Sequence, residues 1–555
     1  MRYRICMLFA AMMGMLSVAC QKDFLDRQIS TELTEEQVFT SYARTRDFLV
    51  GTYAALPAGF NRIDNAMLAA ATDDAEFTWE GGAIQRYNNG SWSPYINPDD
   101  NWNATYAAIR RTNQFLEKSG NVNLDTYKLN PDPTAQQTYN NMVADLERWR
   151  HEARFLRAFF YFELVKRYGG VPLITRVLEL TDNLDLPRNS LEECVQFIAA
   201  ECDSAAAGLP LTTDDTNTGR AVKGAALALK SRVLLYWASE GYSGGGMQSR
   251  WEQAAAAAKA VIDLNVYQLA GNYRALFNTY NNSEIIFARR AGAANSFESA
   301  NYPVYDGGQS GTTPSQNLVD AYELTDGSRF DWNNPAHASA PYKDRDPRLS
   351  MTVIANNTTW RGRSMEIWTG GKDGPEIDRA SRTGYYLKKY MDENLDLVQN
   401  KASVHTWIYF RLAEMYLNYA EAMNEAYGPD QDPQGWGLSA IAAVNAVRGR
   451  ASVNMPPLLA GQWNQADFRE KVRNERRVEL AFEEHRYWDL RRWKLAADML
   501  SAPLKGVRVT RVDDTTFSYA PFELEPRVFL PKMYWYPVPQ SEKIKSPALE
   551  QTPGW

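Results

Sequence analysis

Arg411-Leu-Ala-Glu-Met-Tyr-Leu-Asn-Tyr-Ala-Glu-Ala422 interleaves alanines with Tyr and Leu at the spacing of helical turns. It lies inside a helical pattern over 408–426, and a second pattern over 438–447 follows after a break from Pro429 to Gly437. Small side chains let two helices approach closely, so an Ala-rich pair reads as a tetratricopeptide-like hairpin that stacks on its neighbours. The pairing recurs over 219–238 and 251–264, joined by Gly241-Tyr-Ser-Gly-Gly-Gly246. Helices are also expected over 34–56, opened by the capping pattern Thr34-Glu35-Glu36-Gln37, and over 190–207. Another over 141–168 carries Leu146, Trp149, Ala153, Leu156, Phe160 and Leu164 before Gly169-Gly170 and Pro172 stop it. A last, charged helix is expected over 468–494. No fixed period survives along the chain. The expected fold class is mainly α, with the helical scaffold assembled from separated parts of the sequence.

Long polar segments interrupt the helices at 81–100, 291–314, 330–345 and 356–383. Loops beyond about 12–15 residues are usually functional or disordered, and disordered segments are poor in aromatics. In and beside these segments stand Trp79, Tyr87, Trp92, Tyr95, Tyr302, Tyr305, Trp332, Trp360 and Trp368. Ordered loops with aromatic tips are therefore expected. Planar rings match the apolar C–H faces of sugars, while Asp, Asn and Arg pair with the hydroxyls. Trp79, Trp92, Tyr95, Tyr302 and Tyr305 are the first platform candidates, ahead of Trp332, Trp360 and Trp368; ordinary burial competes at each position. Trp149, Trp237 and Trp493 lie in helical apolar patterns and read as core.

The 555 residues are 45% hydrophobic and 23% charged, with a net charge of -7. That balance gives no basic footprint for nucleic acid. Arg2 and Arg4 precede an apolar run from Ile5 to Val18, shorter than the about 20 residues a membrane-spanning helix takes. Leu16-Ser-Val-Ala-Cys20 resembles a lipobox, so 1–19 is expected to be a lipoprotein signal peptide with Cys20 as the lipid anchor. The pair Cys194 and Cys202, eight positions apart on one helical pattern, lie too far apart for a disulfide and read as buried thiols.

Catalytic patterns fail on context. Gly241-Tyr-Ser-Gly-Gly245 follows a helix, whereas a nucleophile elbow follows a strand. Gly435-Trp-Gly-Leu-Ser-Ala440 has no strand before it and cradles no phosphate. Asp99-Asp-Asn-Trp-Asn103 starts like a calcium loop but carries Ala104 and Arg110 where Gly and Glu are required. His151, His337, His405 and His485 show no metal-ligand spacing, and no cofactor is implied. Asp73, Asp74 and Glu76 could be glycosidase carboxylates, with loop bracing the favoured role. Lys471/Glu475, Arg476/Glu479 and Glu483/Arg486 face one another at helical offsets and are expected to brace the last helix against its neighbours.

Taken in order, these segments resemble the SusD/RagB family. The likeness rests on Cys20 with Lys22-Asp-Phe-Leu-Asp26, on Ala71-Thr-Asp-Asp-Ala-Glu76, and on Pro314-Ser-Gln-Asn-Leu-Val-Asp-Ala-Tyr322 with Asp326-Gly327. It continues through Arg345-Asp-Pro-Arg-Leu349, Thr383-Gly-Tyr-Tyr-Leu-Lys-Lys389, the helix from Arg411 and Asn445-Ala-Val-Arg448. Arg476-Arg-Val-Glu-Leu-Ala-Phe-Glu-Glu-His-Arg-Tyr-Trp-Asp-Leu-Arg-Arg-Trp493 is the closest match, and Tyr536-Pro-Val-Pro-Gln-Ser-Glu542 and Gln551-Thr-Pro-Gly-Trp555 close it. The resemblance implies one domain over 20–555, a tetratricopeptide-like scaffold with a loop-rich ligand-binding half, its loops near 71–105 and 291–385. It implies a cell-surface, outer-membrane lipoprotein, not an enzyme, that captures oligosaccharides for a SusC-like TonB-dependent transporter. Capture of peptides, or a surface-anchored glycoside hydrolase, are the alternatives.

Overall fold

The computed structural model describes residues 33–214, 217–244 and 246–555. The expected signal peptide and Cys20 lie outside the described residues. The longer helices are α1 (Trp102–Lys118), α2 (Pro133–Tyr168), α3 (Leu191–Gly208), α4 (Lys223–Ala238), α5 (Gln248–Ile262), α6 (Leu412–Tyr427), α7 (Ala440–Arg448), α8 (Gln465–Glu479) and α9 (His485–Arg492). Each of α1 to α6 packs on the next, and α6 also packs on α7 and α8. The contact between α5 and α6 joins helices separated by the whole stretch 263–411. Alanines make that approach possible: Ala254, Ala255 and Ala258 on α5, and Ala413, Ala420 and Ala422 on α6, are all buried. The scaffold is thus a helical stack with a loop-rich excursion inserted between two of its adjacent members.

Local signals explain the boundaries. Ser190 and Glu193 form a reciprocal capping box at α3, and Thr34 and Gln37 form another at a short helix, Glu35–Phe39. The helix expected over 34–56 breaks after this turn, where the Thr40 hydroxyl donates to the Glu36 carbonyl at 2.7 Å, and resumes at Tyr42–Tyr53. Helix α2 starts earlier than expected because Asp132 caps it and Pro133 fits the first position. The pattern assigned to helix over 408–411 is strand instead. Its β-branched and aromatic residues make β4 (Thr406–Arg411), which pairs antiparallel with β2 (Ile285–Arg290). Four further strands enter the argument below: β1 (Ala75–Phe77) pairs with β3 (Thr312–Pro314), and β5 (Leu504–Arg511) pairs with β6 (Phe517–Glu525). Every sheet among the described residues has two antiparallel strands.

The charged helix expected over 468–494 is two helices, α8 and α9. Phe482 and Glu484 take left-handed backbone at φ 62° and 63° in the turn between them. Non-glycine residues adopt that conformation at a cost, so surrounding contacts must enforce it. Here Glu484 pairs with Arg62 at 2.7 Å and Glu483 with Lys389 and Arg411, each at 2.7 Å.

The charges on α8 and α9 do brace the fold, but not through the helical-offset pairs. Lys471 reaches Glu323, Arg476 reaches Asp489, and Glu479 receives Arg348, Arg411 and Arg450. These partners come from the loop-rich excursion, β4, α9 and the short segment after α7. Buried carboxylates find arginines wherever the fold supplies them, and tertiary packing overrides the helical neighbour. Cys194 and Cys202 are both buried free thiols.

Burial alone would raise the Glu421 carboxyl, but Arg492, at 2.5 and 2.7 Å, and Trp493 outweigh it and hold it at about 2. Burial likewise opposes Lys166 and Arg167 at Glu163, which also sits at about 2. With the usual value near 4.5, the unfolded chain binds these protons first as pH falls. Both groups therefore contribute stability that is fully present above about pH 4.5 and lost towards pH 2. Urea midpoints should fall steeply across that window, and Glu421→Gln should flatten the fall. A midpoint that holds steady from pH 5 to pH 2.5 would contradict the assignment.

Candidate ligand-binding cleft

Pairing of β1 with β3 places Glu76 opposite Thr313 and leads the chain out of the core at Thr78 and Trp79. The Thr78 amide donates to the Gly311 carbonyl at 2.9 Å and its hydroxyl to the Ser310 carbonyl at 2.6 Å. The Trp79 indole N–H donates to the Gln309 carbonyl at 3.0 Å, and its ring lies 5.2 Å from Phe77. The indole is thus fixed by its N–H edge. Thr78, Trp79 and Gln309 form one wall of a cleft of about 570 Å³.

Pro375, Glu376, Ile377, Asp378 and Arg379 form the facing wall, all exposed, with Arg382 at the base. The base of this loop is rigidly held. Asp373 accepts from both Arg363 nitrogens at 2.6 and 2.7 Å and from the Glu366 amide at 3.0 Å. Gly374 passes so near the Trp368 carbonyl that a Cβ would lie 2.1 Å from it, and only glycine fits. Arg382 ties the floor together through Glu76, Glu80 at 2.6 Å and Glu525 at 3.3 Å. The arrangement offers an aromatic face, amide and carboxylate groups, and two guanidinium groups to a ligand that spans the cleft.

The acidic trio stands behind this wall. Burial raises the Asp73 carboxyl, but Arg477 and Arg486 outweigh it and leave it below the usual range; Arg486 binds it at 2.8 and 2.9 Å. Asp74 receives Arg477 at 2.7 Å, yet burial and the charge of Asp73 keep it above its usual value. Burial pushes Glu76 up to about 7 against the pull of Arg382. All three are buried, and each is held by an arginine. Their geometry is that of braces joining β1 to α8, α9 and the cleft loop.

The nine aromatic candidates do not converge. Trp79 lines the cleft. Tyr305 is 55% exposed, its ring 4.6 Å from Arg363 and 5.5 Å from Lys372, between the Gln309 segment and the base of the facing loop. Tyr95 is 79% exposed at a tight turn bridging Ser93 and Ile96, but that turn packs beside the C-terminal segment, where the Gln540 amide donates to the Pro94 carbonyl. Tyr87 and Trp92 are buried, edge-on to each other and against Tyr536. Tyr302 and Trp360 are wholly buried against each other, and the Tyr302 phenol donates to the Asp392 carbonyl. Trp332 is half-buried and donates to Asp320 at 3.0 Å; Trp368 packs on Phe517 of β6. Buried rings have both faces covered by protein, so Tyr87, Trp92, Tyr302 and Trp360 are core residues and no stacking platform.

Sequence reasoning marked the segment 356–383 but passed over Glu376, Asp378, Arg379 and Arg382 within it, along with Gln309. The signal was present: a run of charged residues broken by Gly and Pro in a loop too long to be a simple connection. Among the described residues no group of three or more His, Cys, Asp or Glu is placed to hold a metal.

Comparison with known proteins agrees with this architecture. Residues 267–555 match the SusD family, and residues 23–235 match a family described as starch-binding and associating with the outer membrane. A SusD-like protein of Bacteroides ovatus is 24% identical, covering 99% of this chain and 97% of its own; SusD-like protein P25 of Formosa agariphila is 26% identical over 72% and 71%. A solved SusD-like carbohydrate binding protein from Bacteroides fragilis superposes with a TM-score of 0.76 at 27% identity, over 92% of this chain and all of that one. A solved laminarin binding SusD-like protein shares the fold at 22% identity and a TM-score of 0.62, over 93% and 100%. With the helical stack, the inserted loop-rich half and these matches together, the chain belongs to the SusD family.

Proposed function

We propose that this protein is a single-domain lipoprotein, anchored through Cys20 on the outer face of the outer membrane, that captures oligosaccharides and passes them to a SusC-like TonB-dependent transporter without cleaving them. The observation that carries the reading is the Trp79 cleft: a partly exposed indole fixed at one edge, facing a polar loop across about 570 Å³. Sugar rings need that pairing of an apolar face with surrounding hydrogen-bond groups. The carbohydrate-binding description of the Bacteroides fragilis relative and the outer-membrane description of the matched family support it. Hydrolysis needs two carboxyls flanking a glycosidic bond, and Asp73, Asp74 and Glu76 are instead buried on arginines.

Trp79→Ala should weaken binding of the preferred glycan by about tenfold or more, roughly 1.4 kcal/mol. Trp332→Ala should leave it within about twofold. The glycan is first found by affinity electrophoresis against a polysaccharide panel, with a peptide pool beside it, and the variants are compared by titration calorimetry. Binding confined to the peptide pool, or unchanged affinity in Trp79→Ala, would refute the glycan reading.

A further inference from the structure

A second cleft, of about 420 Å³, opens on the scaffold between the segment joining α3 to α4 and the turn that leads into β2. It shares no lining residue with the Trp79 cleft. Its volume lies within the range of small-molecule sites, about 300–1,000 Å³. Val222 and Ile286, both buried, give it an apolar floor. Its sides carry phenols, hydroxyls and amides: Tyr267, Tyr280, Thr212, Asn281 and Ser283. Among the described residues, Arg220 is the single charged side chain in the lining. Groups that both donate and accept suit a neutral polyhydroxylated ligand, whose capture requires no ion to be stripped of water.

Two polar atoms beneath this lining lack a partner among the described residues. The Tyr267 phenol oxygen and Arg220 Nη2 are both buried without a hydrogen bond to any described residue. Arg220 is not free to turn elsewhere, because its Nε donates to Glu152 at 2.8 Å and its guanidinium sits over Trp149 at 5.7 Å. Nη2 is therefore fixed in place beneath the lining. Burial pushes the Tyr267 phenol up to about 12, so it stays protonated at any physiological pH. Beside them, Gly219 at φ 88° brings the backbone against Tyr280, where a Cβ would lie 2.7 Å from the phenol oxygen. Arg290, 5.2 Å from the Tyr280 centroid, holds the ring from one face.

We infer that this cleft is a second saccharide site, which holds a short neutral segment of a glycan with Tyr280 against an apolar sugar face and the exposed Thr212, Asn281 and Ser283 pairing with hydroxyls. Two separate sites on one protein strengthen attachment to a long polymer by making the second contact intramolecular. The inference uses none of the residues of the Trp79 cleft and stands apart from the reading of that cleft.

The test titrates the full mature protein with maltotriose, cellotriose and laminaritriose in four forms: native, Trp79→Ala, and Trp79→Ala combined with either Tyr280→Ala or Asn281→Ala. Asn281 is exposed, so its replacement spares the fold. At least one trisaccharide should still bind Trp79→Ala, and each second substitution should weaken that residual binding about tenfold with the melting temperature unchanged. Complete loss of binding in Trp79→Ala would overturn the second site and leave the first intact. Residual binding indifferent to both second substitutions, or no binding of any trisaccharide to the native protein, would overturn it as well.

Discussion

Glu479→Ala is expected to cost about 3–5 kcal/mol, the range for breaking a buried ion pair from one side. Glu479 is fully buried and accepts from Arg411 at 2.7 Å, Arg450 at 2.9 Å and Arg348 at 3.0 Å. Its carbonyl also receives the Tyr273 phenol at 2.7 Å and Arg411 Nη2 at 2.9 Å. Arg348 belongs to the loop-rich excursion, Arg411 ends β4, and Arg450 follows α7, so one carboxylate ties three separate parts of the chain to the end of α8. Removing it leaves three guanidinium groups facing each other without their shared counter-ion. Glu475, Glu284 and Glu483 retain partial claims on them, which sets the upper bound. Lys545→Ala, which removes an exposed partner of Glu542, should change stability by less than about 1 kcal/mol. Denaturant unfolding followed by tryptophan fluorescence measures both. A loss below 1 kcal/mol in Glu479→Ala would mean that the lattice ornaments the junction and does not hold it.

That lattice also shows what the sequence made legible. The alternation of Ala with Leu and Tyr over 411–422 and 223–238 announces helices that pack closely, and they do, because periodicity is a property of neighbouring residues. Nothing local says that α5 packs on α6 across the whole stretch 263–411, or that Glu479 meets three arginines from elsewhere. The turn at Phe482 and Glu484 was hidden for the same reason. Its left-handed backbone is enforced by Arg62, Lys389 and Arg411, and a helical pattern read locally runs straight through it. Among the aromatics, exposure is decided by distant partners. Tyr305, in the helical turn Val304–Asp306, and Trp79, just past β1, reach the surface, whereas Trp360, in an equally polar stretch, is capped by Tyr302. Aromatic content therefore located the loop-rich half but could not sort platform from core.

Trp92→Ala, by contrast with Tyr95→Ala three positions on, is expected to act through stability and not through ligand contact. Trp92 is 3% exposed and packs edge-on or tilted against Tyr87 at 5.1 Å, Tyr536 at 5.3 Å and Trp555 at 4.6 Å. Tyr87 donates to Asn97 at 2.6 Å, and Tyr536 donates to Asp99, which Arg62 and Arg167 hold in turn. The indole is the plug between the 84–102 loop and the C-terminal strap. Truncating a buried tryptophan costs about 3–5 kcal/mol, because a cavity replaces contacts on every side. Trp92→Ala should therefore lower the denaturant midpoint strongly and expose the 84–102 segment and the chain around Tyr536 to hydrogen exchange together. Glycan affinity of the fraction that remains folded should stay within about twofold of native, since Trp92 does not line the Trp79 cleft. Tyr95, 79% exposed, should be neutral within about 0.5 kcal/mol. The opposite pattern, a stable Trp92→Ala protein that no longer binds glycan, would place the ligand on Trp92 and require the C-terminal strap to swing away from it.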